Sequence, residues 1–456
     1  MFSQEPSKSG RGDSSDRNSN LPSNSGEGNS FAVSAPSVTL PKGGGAIRGV
    51  GEKFTANPVT GTGSMSVPIA TSPGRTGFGP QLSITYDSGS GNSPFGFGWN
   101  LSIPAITRKT DKGLPQYLDA QESDVFILSG AEDLVPFHHE DAPLPHANQS
   151  DTEYTVHRFR PRIEGMFSRI ERWTRRSDGD IHWRSISRDN ILAVYGKDPE
   201  SRITDPTDSG RVFSWLICET RDSSGNAVVY QYKSEDGANV DLDNACERNR
   251  GDRNDVKRTA NSYLKRILYG NRRPLLDDEG HRPNIVDKTQ LDIAEWMFEV
   301  VFDFGEHNWD APTPNDESEW IFRDDPFSSY RAGFEVRTTR LCQRVLMFHH
   351  FPDELGVGND CLVRSTDFTY SHQQNPVNDR NPVYTFLRAA TQCAYHCRQR
   401  FDCFGDKEHC IANAIPQKNA VEAFMIALLR KTNEAGNLAS AQKRVSSFAP
   451  RKATIL

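Results

Sequence analysis

Residues 296–304 read Trp296-Met297-Phe298-Glu299-Val300-Val301-Phe302-Asp303-Phe304. Trp296, Phe298, Val300, Phe302 and Phe304 fall on one side of this alternation, and Met297, Glu299, Val301 and Asp303 on the other. Successive side chains of an extended chain point to opposite faces, so five large apolar groups line one side of a strand. A side that apolar must lie against a second layer. The same two-residue period recurs upstream, where Met65, Val67 and Ile69 alternate with Ser64, Ser66 and Pro68, and Leu82, Ile84 and Tyr86 alternate with Ser83 and Thr85. Hairpins follow from the turns. Residues 211–220 and 227–233 flank a loop whose Gly225 and Asn226 tolerate positive φ, and residues 341–351 and 361–370 flank 352–360. The expected fold is mainly β, built of multi-stranded antiparallel sheets, with the polar stretches 138–151, 235–258 and 271–288 as surface loops.

Composition sets the ends apart from this body. The chain has 456 residues, 35% of them apolar and 35 of them glycine, which leaves part of it outside any core. Residues 1–37 are rich in Ser, Asn and Gly and read as a disordered tail; the Arg11-Gly12-Asp13 tripeptide within it is a chance occurrence. Past residue 392 the alternation stops, giving a three-part division into 1–37, a β-rich module over 38–392, and a Cys-rich tail over 393–456. That tail contains one amphipathic helix, with Val421, Phe424, Met425, Leu428 and Leu429 in a stripe, Asn419 and Glu422 as a capping pair and Gly436 as a stop. Two readings stand for this helix: a cap over the exposed edge of the last sheet, or unselected sequence that merely scores as a helix, since short isolated helices are marginal without packing. A net charge of -7 gives no basic footprint for nucleic acid. The longest apolar run, residues 423–429, is far short of the ~20 residues that span a bilayer. The first thirty residues offer Met1, Phe2 and Leu21 as large apolar groups and no signal-peptide core. The protein is therefore expected outside the cell by another export route, or in the cytoplasm before release.

The motifs that suggest chemistry fail on spacing. Gly43-Gly44-Gly45 and Gly49-Val50-Gly51 fit neither a phosphate loop nor a dinucleotide fingerprint, and Gly89-Ser90-Gly91-Asn92 and Gly96-Phe97-Gly98-Trp99 read as turns leading into an aromatic core contact. Asp241 and Asp243 open like a calcium loop, but Ala245 and Cys246 stand where a ligand and a glycine are needed. Cys393, Cys397, Cys403 and Cys410, with His396 and His409, match no paired zinc spacing and are expected as reduced thiols, the eight cysteines forming no disulfide framework. His349 and His350 point to opposite faces of a strand and cannot share a metal. No G-x-S-x-G elbow or defensible acid–base pair is present, so catalytic, cofactor-binding and metal residues are all expected to be none.

Several long segments are familiar. LPKGGGAIRG (40–49), the run from GEKFTANPVTGTGSMSVPIATSPGR (51–75) through FGPQLSITYDSGSGNSPFGFGWNLSIPAITRKTDKGLPQY (78–117), SDVFILSGAEDLVPF (123–137), YTVHRFRPRIEGMFSRIERW (154–173), SWLICETRDSSGN (214–226), DPFSSYRAGFEVRT (325–338) and CLVRSTDFTY (361–370) closely resemble the SpvB/TcaC family. The resemblance covers about residues 38–392. It implies a β-rich, non-enzymatic module similar to part of the hollow shell of insecticidal toxin complex B components, which with the C component encloses a toxic polypeptide and docks through a propeller onto the A-component channel. The same module precedes an actin-modifying ADP-ribosyltransferase domain in a virulence protein of the family. The implied partners are proteins, the remaining shell, propeller and channel components among them. Two other functions stand as alternatives. An ADP-ribosyltransferase of this family needs an Arg, then Ser-Thr-Ser, then Glu-x-Glu; here Glu317-Ser318-Glu319 precedes Arg364-Ser365-Thr366, and Asp367 replaces the last Ser. A sugar-binding β-domain rests only on exposed aromatics and fold class.

Overall fold

The computed structural model describes residues 62–396, except 130–131, 138–152, 164, 166, 355–356 and 375–383, together with the backbone of three short outlying strands. The expected N-terminal tail, the glycines at 43–51 and the amphipathic helix at 421–429 lie outside the described residues.

Chain order begins with a small antiparallel sheet of β1 (Lys53–Ala56), β2 (Gly63–Ile69), β3 (Leu82–Asp87) and β4 (Trp99–Leu101). The turn into β4 needs its glycines. Gly98 has φ +81, and a Cβ there would sit 2.5 Å from the Tyr86 ring, which packs on Trp99 at 5.4 Å between centroids.

A barrel follows, made of β5 (Ala105–Arg108), β6 (Phe126–Leu128), β7 (Glu132–Pro136), β8 (Tyr154–Pro161), β9 (Arg169–Arg175), β10 (Ile181–Ile186), β11 (Leu192–Tyr195), β12 (Arg202–Asp205) and β13 (Asp208–Arg221). Neighbours from β5 to β11 pair antiparallel in turn, β11 pairs with β13, and β13 returns to β5 through Trp215↔Ile106, which closes the ring. β12 is an added strand alongside β13. Inside, Phe126 meets Trp183 at 4.9 Å and Phe159 meets Trp183 at 4.9 Å, with Trp215, Ile106, Leu128, Leu134 and Ile170 filling the remainder.

The far end of β13 opens a second sheet through Glu219↔Val229. It runs on through β14 (Ala227–Ser234), β15 (Ser262–Asn271), β16 (Trp296–Asp303), β19 (Arg344–Phe351), β20 (Gly358–Tyr370) and β21 (Leu387–His396), with a separate ribbon of β17 (Phe327–Ser329) and β18 (Val336–Thr338) between β16 and β19 in sequence. Both hairpins read from the sequence are present, β13–β14 and β19–β20. Gly225 in the first has φ +78, and a Cβ there would approach the Leu275 nitrogen to 2.9 Å. The small sheet packs on this large one. Val67, Ile69, Leu82, Ile84 and Trp99 share a core with Ile267, Tyr269, Val300, Phe302, Val345, Met347, Phe368 and Tyr370. The alternation at 296–304 thus delivers Phe298, Val300, Phe302 and Phe304 to the sandwich core, while Trp296 turns to a smaller cluster around Ala227, Leu275, Val286 and Ala294.

The surface-loop expectation needs correction. The stretch 235–258 buries Glu235, Val240, Glu247 and Arg258, and the stretch 271–288 buries Asn271, Leu275 and Val286, so neither is a plain surface loop. β21 runs through Cys393 to His396, past the alternation boundary at 392. Cys361 is disulfide-bonded, a bond that the sequence reading does not assign.

Barrel integrity depends on its aromatic centre. Trp183→Ala empties a site fully shut from solvent, and is expected to cost roughly 3–5 kcal/mol, read as a lower urea midpoint with an unchanged m-value.

Candidate functional site

The long connections of the large sheet are fixed by buried charges. Glu235 accepts from Arg340 Nε at 2.9 Å, from the same guanidinium's NH2 and from Thr339 Oγ1. Arg340, fully buried, lies 4.3 Å from the Trp320 ring centroid, and Trp320 Nε1 donates to Asp236 Oδ1 at 2.7 Å. Glu247 takes Arg258 NH1 at 2.6 Å, Arg337 NH2 at 2.5 Å and Arg250 Nε at 3.1 Å. Burial pushes the Glu247 carboxyl up, and the Arg258 and Arg337 guanidinium groups outweigh that, leaving it below the ordinary carboxylate range. A third knot ties distant parts of the chain. Arg323 donates to the Ser93 carbonyl at 2.7 Å and to Asn92 Oδ1 at 3.0 Å, and its partner Asp325 accepts from Thr385 Oγ1 at 2.6 Å.

Asp303, Glu306 and His307 bring three possible ligand atoms within 4.8 Å of one another. Cationic side chains already serve them. Lys265 Nζ donates to Glu306 Oε1 at 2.5 Å and to His307 Nε2 at 2.7 Å, and Arg344 Nε donates to Asp303 Oδ2 at 2.6 Å. His307 Nδ1 faces the Thr313 carbonyl at 2.9 Å, so Nδ1 carries the ring proton and Nε2 accepts. Burial and the Lys265 charge push its pKa down. The donor set suits an ammonium and a guanidinium rather than a metal ion.

The sequence motifs land apart. Glu317 and Glu319 are exposed on the loop after β16, where Glu317 Oε1 accepts from Thr313 Oγ1, whereas Ser365 and Thr366 are buried within β20, Ser365 Oγ meeting the Tyr395 hydroxyl at 3.1 Å. Asp241 and Asp243 sit in exposed turns. His349 meets Ser72 Oγ at 2.7 Å and His350 meets Glu299 Oε2 at 3.0 Å, on opposite faces as the alternation requires. Cys393 is half-buried in β21; Cys397, Cys403 and Cys410 lie outside the described residues. A cavity of about 190 Å³ opens in the barrel wall over Phe126, Leu134 and Phe159. Its lining carries Lys109, Lys112, Arg162 and Arg172 alongside Asp111, Glu122, Asp124 and Asp133, so it favours neither ion sign. Exposed aromatics include Trp309 and Tyr330 and a cluster in which Phe97 lies 6.2 Å from Tyr384 and 5.7 Å from Phe386.

Removing one partner of a buried pair leaves an uncompensated charge. Arg340→Ala is expected to cost roughly 3–5 kcal/mol, and Glu235→Leu with Arg340→Met to recover most of it, measured by urea denaturation. Acid tests the histidines. His182 is held neutral, well below its ordinary value, by burial and by Arg184, and His307 is lowered in the same direction. The unfolded chain takes up protons that these two refuse, so stability falls as pH drops through about 6.5. His350 has the opposite sign: burial lowers its pKa, but the Glu299 and Asn359 hydrogen bonds raise it more, so its contribution is complete in acid and lost as pH rises through its folded value. His182→Asn is expected to flatten the fall in urea midpoint between about pH 7.5 and 5.5.

Comparison with known proteins agrees with this architecture. The profile of the Salmonella virulence plasmid 65kDa B protein family, SpvB, matches residues 57–351. The mono(ADP-ribosyl)transferase SpvB of Salmonella typhimurium is 38% identical over 366 residues, 78% of this chain; the chain spans about 56% of the length of that relative. The solved N-terminal domain of effector protein SpvB from Salmonella typhimurium strain LT2 is 36% identical with a TM-score of 0.59, covering 72% of this chain and 100% of that one. TcdB2-TccC3 is 30% identical with a TM-score of 0.62 over 84% of this chain and 17% of its own, and a Photorhabdus luminescens Tc holotoxin pore matches at 30% and 0.62 over 87% and 17%. The matched segments, the barrel and the sandwich together show that this chain belongs to the SpvB family of toxin and virulence proteins.

Proposed function

We propose that this chain is a non-enzymatic structural module of a toxin complex or virulence factor, similar to the N-terminal part of the B-component shell that encloses and delivers a toxic polypeptide. One observation carries the reading: the likeness takes in the whole of the solved SpvB N-terminal domain, yet only 17% of TcdB2-TccC3. The chain thus corresponds to one part of much larger proteins. Its buried charge is spent on holding loops to sheets, as at Glu235–Arg340 and Glu247–Arg258, which supports a scaffold. Its partners on this reading are proteins, other toxin-complex components among them, met through sheet surfaces. It works outside the producing cell, or in its cytoplasm before release. Within the chain, 1–37 is a tail, 38–392 the module and 393–456 a separate segment.

The test pairs a binding and an activity measurement. Purified chain mixed with shell, propeller and channel components encoded beside its gene is expected to co-elute with at least one of them, and incubation with labelled NAD and cell extract is expected to label no protein. Label on actin would replace the structural reading with a transferase.

A further inference from the structure

Lysine is almost never buried without a partner, and Lys265, within β15, is 5% exposed. The turn that follows β16 supplies its partners. Gly305 bends the chain with φ +101, and its amide and that of His307 donate to Asp303 Oδ1 at 2.7 and 3.4 Å. The Glu306 carbonyl accepts from the Glu317 and Ser318 amides, both at 3.0 Å. Glu306 and His307 are thereby held against β15 on a fixed backbone. Four side chains meet there. Lys265 Nζ lies 2.5 Å from Glu306 Oε1, 2.7 Å from His307 Nε2 and 3.2 Å from Asp316 Oδ1. The Glu306 and His307 side chains are shut from solvent.

The parts of an amide condensation are assembled in this arrangement. With a carboxyl C–O bond of about 1.2 Å, Glu306 Cδ is at most about 3.7 Å from Nζ, close to the ~3–3.5 Å separation of a reacting pair. Glu306 Oε2 accepts the Phe304 amide at 2.7 Å, a donor set to receive charge that develops on that oxygen. His307 directs its Nδ1 proton to the Thr313 carbonyl at 2.9 Å, which leaves Nε2 as the acceptor facing Nζ. Burial and the Lys265 charge hold that ring neutral. Asp316, 35% exposed and 3.5 Å from His307 Nε2, marks the solvent side, where a released water can leave. Lys233 engages Asp316 at 2.9 Å and keeps it ionised, so it steadies an imidazolium at His307 rather than taking the amine itself. A buried ion pair has surrendered the hydration of both ions, and turning it into a neutral amide removes that cost.

We propose that Lys265 and Glu306 join in an intramolecular isopeptide bond, formed by the folded chain itself between β15 and the turn after β16. The ammonium first passes a proton to Glu306 Oε1, giving the neutral amine and neutral acid that a water-free site favours. Nζ attacks Cδ, the C–N bond forms, and Oε2 takes up the charge beneath the Phe304 amide. His307 Nε2 removes a proton from the attacking nitrogen and returns it to Oε1, the Cδ–Oε1 bond breaks, and one water leaves. Nothing is oxidised or reduced. The amide nitrogen keeps one hydrogen, and His307 ends as it began. The proposal does not rest on the structural-module reading, since it concerns four side chains of one chain.

The mass of the purified full chain, denatured and reduced, tests this without any substitution. It is expected to fall short of the sequence mass by one water in most molecules, with tandem mass spectrometry of the peptides placing the bond between Lys265 and Glu306. Lys265→Met and Glu306→Ala are each expected to keep the full mass. His307→Asn, purified in the same way, is expected to be mostly uncrosslinked, and crosslinking as complete as in wild type overturns the proton relay. A wild-type chain at its full sequence mass overturns the bond, as does a lost water that maps to any other position, Lys265 with Asp316 included. Should the variants fail to fold, the wild-type measurement decides alone.

Discussion

Strand β13 belongs to two structures at once, and the rest of the architecture depends on that. Its first half carries Trp215 into the barrel centre and closes the ring against Ile106; its second half hydrogen-bonds β14 and so begins the sandwich. Because side chains alternate with a period of two, any one-residue slip in β13 would eject Trp215 from the barrel and shift Glu219 and Arg221 out of their buried positions together. Irregularities in pairing at Ile203, Thr204 and Val194 let the strand bend between its two sets of neighbours without losing either. One strand thereby couples two cores that share few side chains, Tyr230 being packed against both.

Buried ion pairs do a different job from the apolar cores. An arginine sealed beside a glutamate contributes little net stability compared with well-packed apolar groups, because both ions surrender their hydration. What the pair supplies is position. Glu235 accepts where Arg340, Thr339 and the Gly237 amide converge, and Glu247 where Arg258, Arg337 and Arg250 do. Loops that are polar along the sequence are in this way locked in place.

This explains how much the sequence disclosed. Long alternating runs such as 296–304 and the paired runs either side of Gly225 are legible, because burial on one face of a long strand leaves a periodic trace. The barrel is not legible. β5, β6 and β11 have three or four residues each, too few to establish a period, and they are separated by loops of up to 17 residues, so closure is a property of pairing that no local pattern records. The buried loops are hidden for a related reason: Glu235, Glu247 and Arg258 have the composition of surface residues, and the burial of the two glutamates depends on Arg340 and Arg337, some ninety or more positions away. The Cys361 disulfide could not be read either, since spacing alone does not pair cysteines.

The remaining question is why a β-rich chain of this kind would carry its charge inside and its aromatics partly outside. Lys265, Glu306 and His307 are sealed among themselves, and the barrel cavity is lined by as many cations as anions. Exposed groups such as Tyr384 and Phe386, clustered on Phe97, sit instead beside Thr385, which the Arg323–Asp325 knot fixes to the small-sheet turn at Asn92 and Ser93. Aromatic side chains held on rigid backbone lose little entropy when a partner covers them. The arrangement therefore places stiffness directly beneath an exposed aromatic surface, which is in keeping with the structural module proposed above.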